Sequence, residues 1–204
     1  MNSLPITAEP INLGVRFQVM VRGLEAFSRL ADEFAAFRAD ARQLGFEEYG
    51  PWDEMLAWLS TMPGRVLGNL ENASQAVGIM FLEDLRSHWN AQVFAARWLP
   101  LSAEYLAWKI AHRLDRRTLI ATQAAISSLG ARRPDPLTVE VGITAVAEDG
   151  TPYMVVQEFG SRDGRVPPRP LVQPILEVYL KGYVDVYRRA IDLAFEGQVL
   201  KGVA

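Results

Sequence analysis

Gly14-Val15-Arg16-Phe17-Gln18-Val19-Met20-Val21-Arg22 alternates strictly, with Val15, Phe17, Val19 and Val21 on one side and Arg16, Gln18, Met20 and Arg22 on the other. Successive side chains of a strand point to opposite faces, so this stretch reads as a half-buried strand. After Gly23 the period changes. Leu24, Phe27, Leu30, Ala31, Phe34, Phe37 and Ala41 recur at the spacing of one helix face. A strand handing over to an amphipathic helix decides for a mixed architecture rather than an all-helical one.

Working outward, residues 45–63 open on Gly45 and close on Pro63, holding Tyr49, Trp52, Met55 and Trp58 between them. Turn formers at both ends make this an inserted segment, with room for a small helix. Beyond Pro63 and Gly64, Val66, Leu70, Ala73, Val77, Phe81, Leu85 and Trp89 keep helical spacing toward Phe94, which predicts a long central helix. Residues 95–130 read as an extended linker. It contains a helix start at Ser102, a good N-cap, and a short helical run between Thr118 and Leu129. Residues 131–136 read as a proline-interrupted basic loop. Leu137, Val139, Val141 and Ile143 alternate with Thr138, Glu140, Gly142 and Thr144 as the clearest strand. Tyr153 to Phe159 fits a strand or a short helix, and residues 160–170 form a loop rich in proline and glycine. Val172, Ile175, Leu176, Tyr179, Tyr183, Val186, Tyr187, Ala190, Ile191 and Ala194 then mark a long helix ending near Gly197. The expected fold is α+β: one domain over residues 1–204, its small antiparallel sheet packed against a long central and a long C-terminal helix.

Composition narrows the function. Half of the 204 residues are hydrophobic, enough for a sizeable core, and 21 Lys plus Arg against 24 Asp plus Glu leave a net charge of −3. The chain as a whole therefore does not attract nucleic acid or anionic lipid, and any basic contact is local. Cysteine is absent, which removes disulfides, thiolate metal ligands and cysteine nucleophiles and fits synthesis in a reducing cytoplasm. Residues 1–10 lack the pattern of a secretory signal, and no apolar run approaches the roughly 20 residues that cross a bilayer, so no membrane contact is expected.

Three segments, taken in order, carry a resemblance. Val19-Met20-Val21-Arg22-Gly23-Leu24 leads from the first strand into the first helix. Trp98-Leu99-Pro100-Leu101-Ser102 is followed by Tyr105 and Lys109, and Leu119, Thr122, Ile126 and Ser127 follow at a recognisable spacing, with Gln123 where glycine is usual. Tyr153, Gln157-Glu158-Phe159-Gly160 and Val166-Pro167-Pro168-Arg169-Pro170-Leu171 then precede the last helix. Together they resemble the phage virion morphogenesis and tail-completion family, of the minor tail protein Z type. Membership implies a particle protein for tail completion or head-to-tail joining. It also implies a homo-oligomeric, hexameric ring that meets tail-tube and neck or connector proteins, located in the virion after assembly in the host cytoplasm. The proline segment makes sense without the family. A glycine at 160 tolerates positive φ, while Pro167, Pro168 and Pro170 hold the chain extended and then admit a helix.

Enzymatic chemistry finds no foothold. His88 and His112 stand far apart, without a pairing that suits zinc. Glu47-Glu48 and Glu148-Asp149 lie in turn-like contexts, and phosphate-loop, dinucleotide and nucleophile-elbow motifs are absent. The chain reads as a non-enzyme with no catalytic residue, cofactor or metal. The candidate interface residues are Trp52, Trp58, Trp98, Arg116, Arg117, Arg132, Arg133, Phe159, Gly160, Pro168 and Arg169. Trp89, Trp98 and Trp108 suit core or linker anchors, whereas Trp52 and Trp58 fit either packing or a partner. The arginines at 113–117 and 132–133 fit a rim that touches packaged DNA transiently, which is the nucleic-acid-binding alternative, or a surface that pairs with acidic groups of the next subunit. Charge alone leaves both open. The sheet edge and C-terminal helix are expected to build the ring, and the linker and proline loop to adapt to the neighbouring protein.

Overall fold

A computed structural model describes residues 7, 10–47 and 49–201. In chain order it contains β1 (Leu13–Gln18), α1 (Glu25–Gln43), α2 (Trp52–Ala91), a 3-10 turn (Ala95–Arg97), α3 (Ala103–Ala111), α4 (Ala124–Ser127), β2 (Leu129–Asp135), β3 (Thr138–Ile143), α5 (Tyr153–Phe159) and α6 (Val172–Phe195). The strands form one antiparallel sheet in the order β1-β3-β2. With α2 and α6 packed together and against that sheet, the fold is α+β. Among the described residues no helix is long and apolar enough to cross a membrane.

The alternation read over residues 14–22 holds as strand only to Gln18, and residues 19–22 lead to α1 outside the sheet. Leu13, Val15 and Phe17 face the helices opposite Ile143, Val141 and Val139, and the Phe17 ring meets Phe81 and Tyr183 edge-on at 5.6 and 5.5 Å. β3 is buried along its whole length, not on one face only. On its outer side Glu140 is covered by arginines, and Gly142 pairs with Gly14 and Gly130 on the flanking strands. A Cβ on Gly142 would lie 2.5 Å from the Gly14 Cα and 2.8 Å from the Ile11 side chain, so glycine is what lets the segment before β1 fold across the sheet.

α2 is one helix of 40 residues, about 60 Å long at 1.5 Å per residue. It begins at Trp52 and runs through Pro63, which corrects the expected separate small helix ending there. An interior proline costs about 3 kcal/mol. Leu59, Met62 and Val66 are buried on one stripe spanning that position, and each contributes about 1.5–3 kcal/mol on burial. The stripe therefore outweighs the lost hydrogen bond. α6 runs antiparallel to α2, joined by a ladder of polar contacts: Tyr179 Oη with His88 Nε2 at 3.0 Å, Tyr183 Oη donating to Asp84 at 2.6 Å, and Asn69 donating to Ala190 O at 3.1 Å. The tyrosine stripe thus packs between helices. His88 belongs to that ladder rather than to open surface.

α1 folds back on the first half of α2 as a hairpin. Phe27 packs against Trp58 and Phe195, and Phe34 and Phe37 against Trp52. Ala31 is the one buried residue among the described residues of α1, and the apolar face read from its spacing is largely open. A second correction concerns residues 131–136. Most of the expected basic loop is strand β2, irregular between Arg132 and Asp135. Pro134 has no N–H for the ladder, and an edge strand accommodates it at that irregularity.

Candidate partner interface

α5 and the loop after it set the geometry. α5 ends where Gly160, at φ +85°, turns the chain, its N–H bonded to Val156 O at 2.8 Å. A Cβ there would lie 3.2 Å from both Val166 O and Pro168 Cδ, so the turn needs glycine. The loop then closes on itself. Ser161 N–H donates to Val166 O, Val166 N–H to Ser161 Oγ, and Ser161 Oγ to Asp163. Pro167 to Pro170 carry the chain back along α5, where Arg169 N–H donates to Gln157 O at 2.6 Å.

The buried Glu158 carboxylate caps α6. It accepts from Leu171 N–H at 2.7 Å, Val172 N–H at 3.1 Å and Gln173 N–H at 3.0 Å, three of the donors that a helix start leaves unpaired. Its negative charge also lies at the positive end of the helix dipole. Sequence reasoning placed Glu158 in a motif without assigning this role. A capping box has its acid three residues into the helix, whereas Glu158 reaches its donors from 13 residues upstream across the proline loop.

The linker docks onto this hinge. Trp98 Nε1 donates to Pro170 O at 3.0 Å, and Arg169 Nε to Leu99 O at 3.4 Å. Ser102 caps α3 as expected, accepting from Tyr105 N–H at 3.1 Å. Lys109, on the inward side of α3, is 1 % exposed and donates to Arg117 O at 2.7 Å and Ile120 O at 2.6 Å, which fixes the following loop. Burial pulls its ammonium pKa down, partly opposed by Asp115. Between the linker, α5 and the proline loop lies a cleft of about 1170 Å³.

The candidate residues divide. Trp98, Gly160, Pro168 and Arg169 belong to the hinge; Phe159 beside it is exposed. Trp52 and Trp58 are half-buried in the hairpin far along α2, away from this group. Trp108, expected as an anchor, is 46 % exposed and stacks on Tyr105 at 5.6 Å; the inward positions of α3 are taken by Leu106 and Lys109. The arginine clusters are mostly engaged. Arg117 chelates Asp115, holding that carboxyl down at about 2, and reaches Asn90 O at 2.9 Å. Arg132 and Arg16 clamp Glu140 from the two flanking strands at 2.7 and 2.5 Å, and Arg133 meets Glu71 at 3.1 Å. Arg116 is exposed at the lip of a small hollow beside Trp98 and Pro100. Of the two acidic pairs, Asp149 accepts from Thr151 N–H in a turn, and Glu48 lies outside the described residues. No protein-family model, curated protein or solved structure matches the chain.

Proposed function

We propose that this chain is a structural, non-enzymatic subunit of a tailed bacteriophage particle, acting in tail completion or head-to-tail joining through a closed homo-oligomeric ring. One observation carries the reading. The two segments richest in the resemblance, 98–102 and 153–171, lie far apart in sequence yet fold into one unit, through the Trp98 to Pro170 and Arg169 to Leu99 hydrogen bonds. A motif whose parts bond to one another is a fold-specific device rather than a coincidence of composition. The unit is rigid, capped and bordered by an open cleft, as suits docking on a neighbouring tail-tube or neck protein.

The nucleic-acid reading draws less support. Arg117, Arg132 and Arg133 each pair with a carboxylate of the same chain, which neutralises much of the charge that phosphates require. Light scattering with negative-stain imaging of the purified chain, alone and with its tail-tube neighbour, tests the proposal. Closed rings of fixed size, free or on the tube end, are expected. A monomer that ignores tube and neck proteins but binds DNA with a steep salt dependence overturns it.

A further inference from the structure

The cleft beside the hinge is lined by three cations, Lys109, Arg165 and Arg169, and one acid, Glu148. Lys109 and Arg169 are 1 % and 7 % exposed, yet their hydrogen bonds go only to neutral acceptors: the carbonyls of Arg117 and Ile120 for Lys109, and Leu99 O and the Gln157 amide for Arg169. Among the described residues neither forms an ion pair. Arg165 at the rim pairs with Asp163 at 3.2 Å, and Glu148 is the single acid in the lining. Asp115 offsets the Lys109 charge in part, whereas Arg169 has no carboxylate partner among the described residues; a buried cation so placed is costly, and an arriving anion relieves that cost. At about 1170 Å³ the cleft exceeds the 300–1,000 Å³ typical of small-molecule pockets, and Leu99, Val166 and Pro167 give it apolar walls. Its dimensions and chemistry suit a segment of polypeptide that is both acidic and apolar.

The chain carries such a segment at the turn between α1 and α2. From Arg42 to Arg65 no Lys or Arg intervenes, while Glu47, Glu48, Asp53 and Glu54 do; of these Asp53 is paired with Arg38 of α1, and the other acids carry the charge of the turn. Leu44, Phe46 and Tyr49 at this turn are 77 %, 67 % and 82 % exposed, unusual for three large apolar side chains in a row of turns. The turn precedes the first residue of α2 and the cleft follows its last, so about 60 Å of helix separates them. They cannot meet within one chain. A contact between them needs two copies placed head to tail, and a heterologous contact of that kind closes a ring or grows a filament.

We propose that the acidic, aromatic turn of one copy seats in the basic cleft of the next. This rests on the ring-assembly reading and names the surfaces that make it. A fluorescein-labelled peptide of residues 43–54, titrated into the full chain by anisotropy, tests the contact. Glu47→Arg in the peptide and Arg165→Glu in the chain alter exposed positions only. Saturable binding is expected, weakened by salt and by about tenfold or more with either change, and regained when the two are combined. The same two substitutions in the full chain should each lower its assembled mass, and the double variant should restore it. No peptide binding, or unchanged binding with Arg165→Glu, overturns the proposal, as does tighter binding of a mixed-sequence oligonucleotide than of the peptide. Rings that survive both single substitutions sink this contact and leave the ring reading standing. Charge-dependent peptide binding by a chain that stays monomeric supports the contact and removes the ring.

Discussion

Replacing Glu158 by alanine takes away the one side-chain acceptor that, among the described residues, serves the Leu171, Val172 and Gln173 N–H groups. The first two donors are buried, and a buried group left unpaired costs about 1–3 kcal/mol. Two of them give about 2–6 kcal/mol, and fraying of the first turn toward water limits the loss to about 3–4 kcal/mol, above the roughly 1 kcal/mol of an ordinary exposed cap. Against a total stability of about 5–15 kcal/mol this is a large fraction. For a chain of this size it lowers the melting temperature by about 6–16 °C. Glu158→Gln keeps one carbonyl oxygen and loses the charge, so about 1–2 kcal/mol is expected. Urea unfolding followed by far-UV circular dichroism measures both, read as a shift of the midpoint at constant slope. An alanine variant within about 0.5 kcal/mol of the parent refutes the reasoning, because it means that water or another side chain already serves those donors.

Gly160→Ala forces a Cβ into positive φ and to within 3.2 Å of Val166 O and Pro168 Cδ; a loss of about 1–3 kcal/mol is expected in thermal melts, with faster proteolysis in residues 161–166. Burial would raise the Glu140 carboxyl, but hydrogen bonds from Arg132 and Arg16 outweigh it and hold the pKa below its ordinary 4.5. A carboxylate depressed in the folded state contributes stability that is complete above its unfolded value and lost as pH falls through the folded one. Glu140→Gln should therefore flatten the decline of stability below about pH 4.5 relative to the parent, measured by denaturant midpoints across that range. An unchanged acid limb counts against the clamp.

Much of the frame was legible from residue order. The alternation in β1 and β3, the stripes of α2 and α6, the Ser102 cap and the turn at Gly160 are local signals, each carried by neighbours within a few residues. The errors arose where a long-range partner overrode a local rule. Pro63 reads as a stop, yet the buried Leu59, Met62 and Val66 carry the helix across it. Residues 131–136 read as a loop because of Pro134 and the arginines, yet Ala131 and Arg132 pair with Val141 and Glu140 of β3. Trp108 reads as an anchor by its size, yet Lys109 turns inward because the carbonyls of residues 117 and 120 await it there.

The candidate site divides along the same line. The glycine and prolines of residues 160–170 announce a hinge, since their backbone restrictions belong to the residues themselves. Glu158 as a distant cap, Glu140 between two arginines, and the burial of Lys109 and Arg169 against neutral acceptors carry no such signature, because each depends on what the chain brings beside it from elsewhere. Sequence alone determined the elements, their amphipathic faces and the rigid turn. Only the tertiary structure decided which charges are neutralised and which remain open, because pairing depends on distance and burial across elements, and one-dimensional order contains neither.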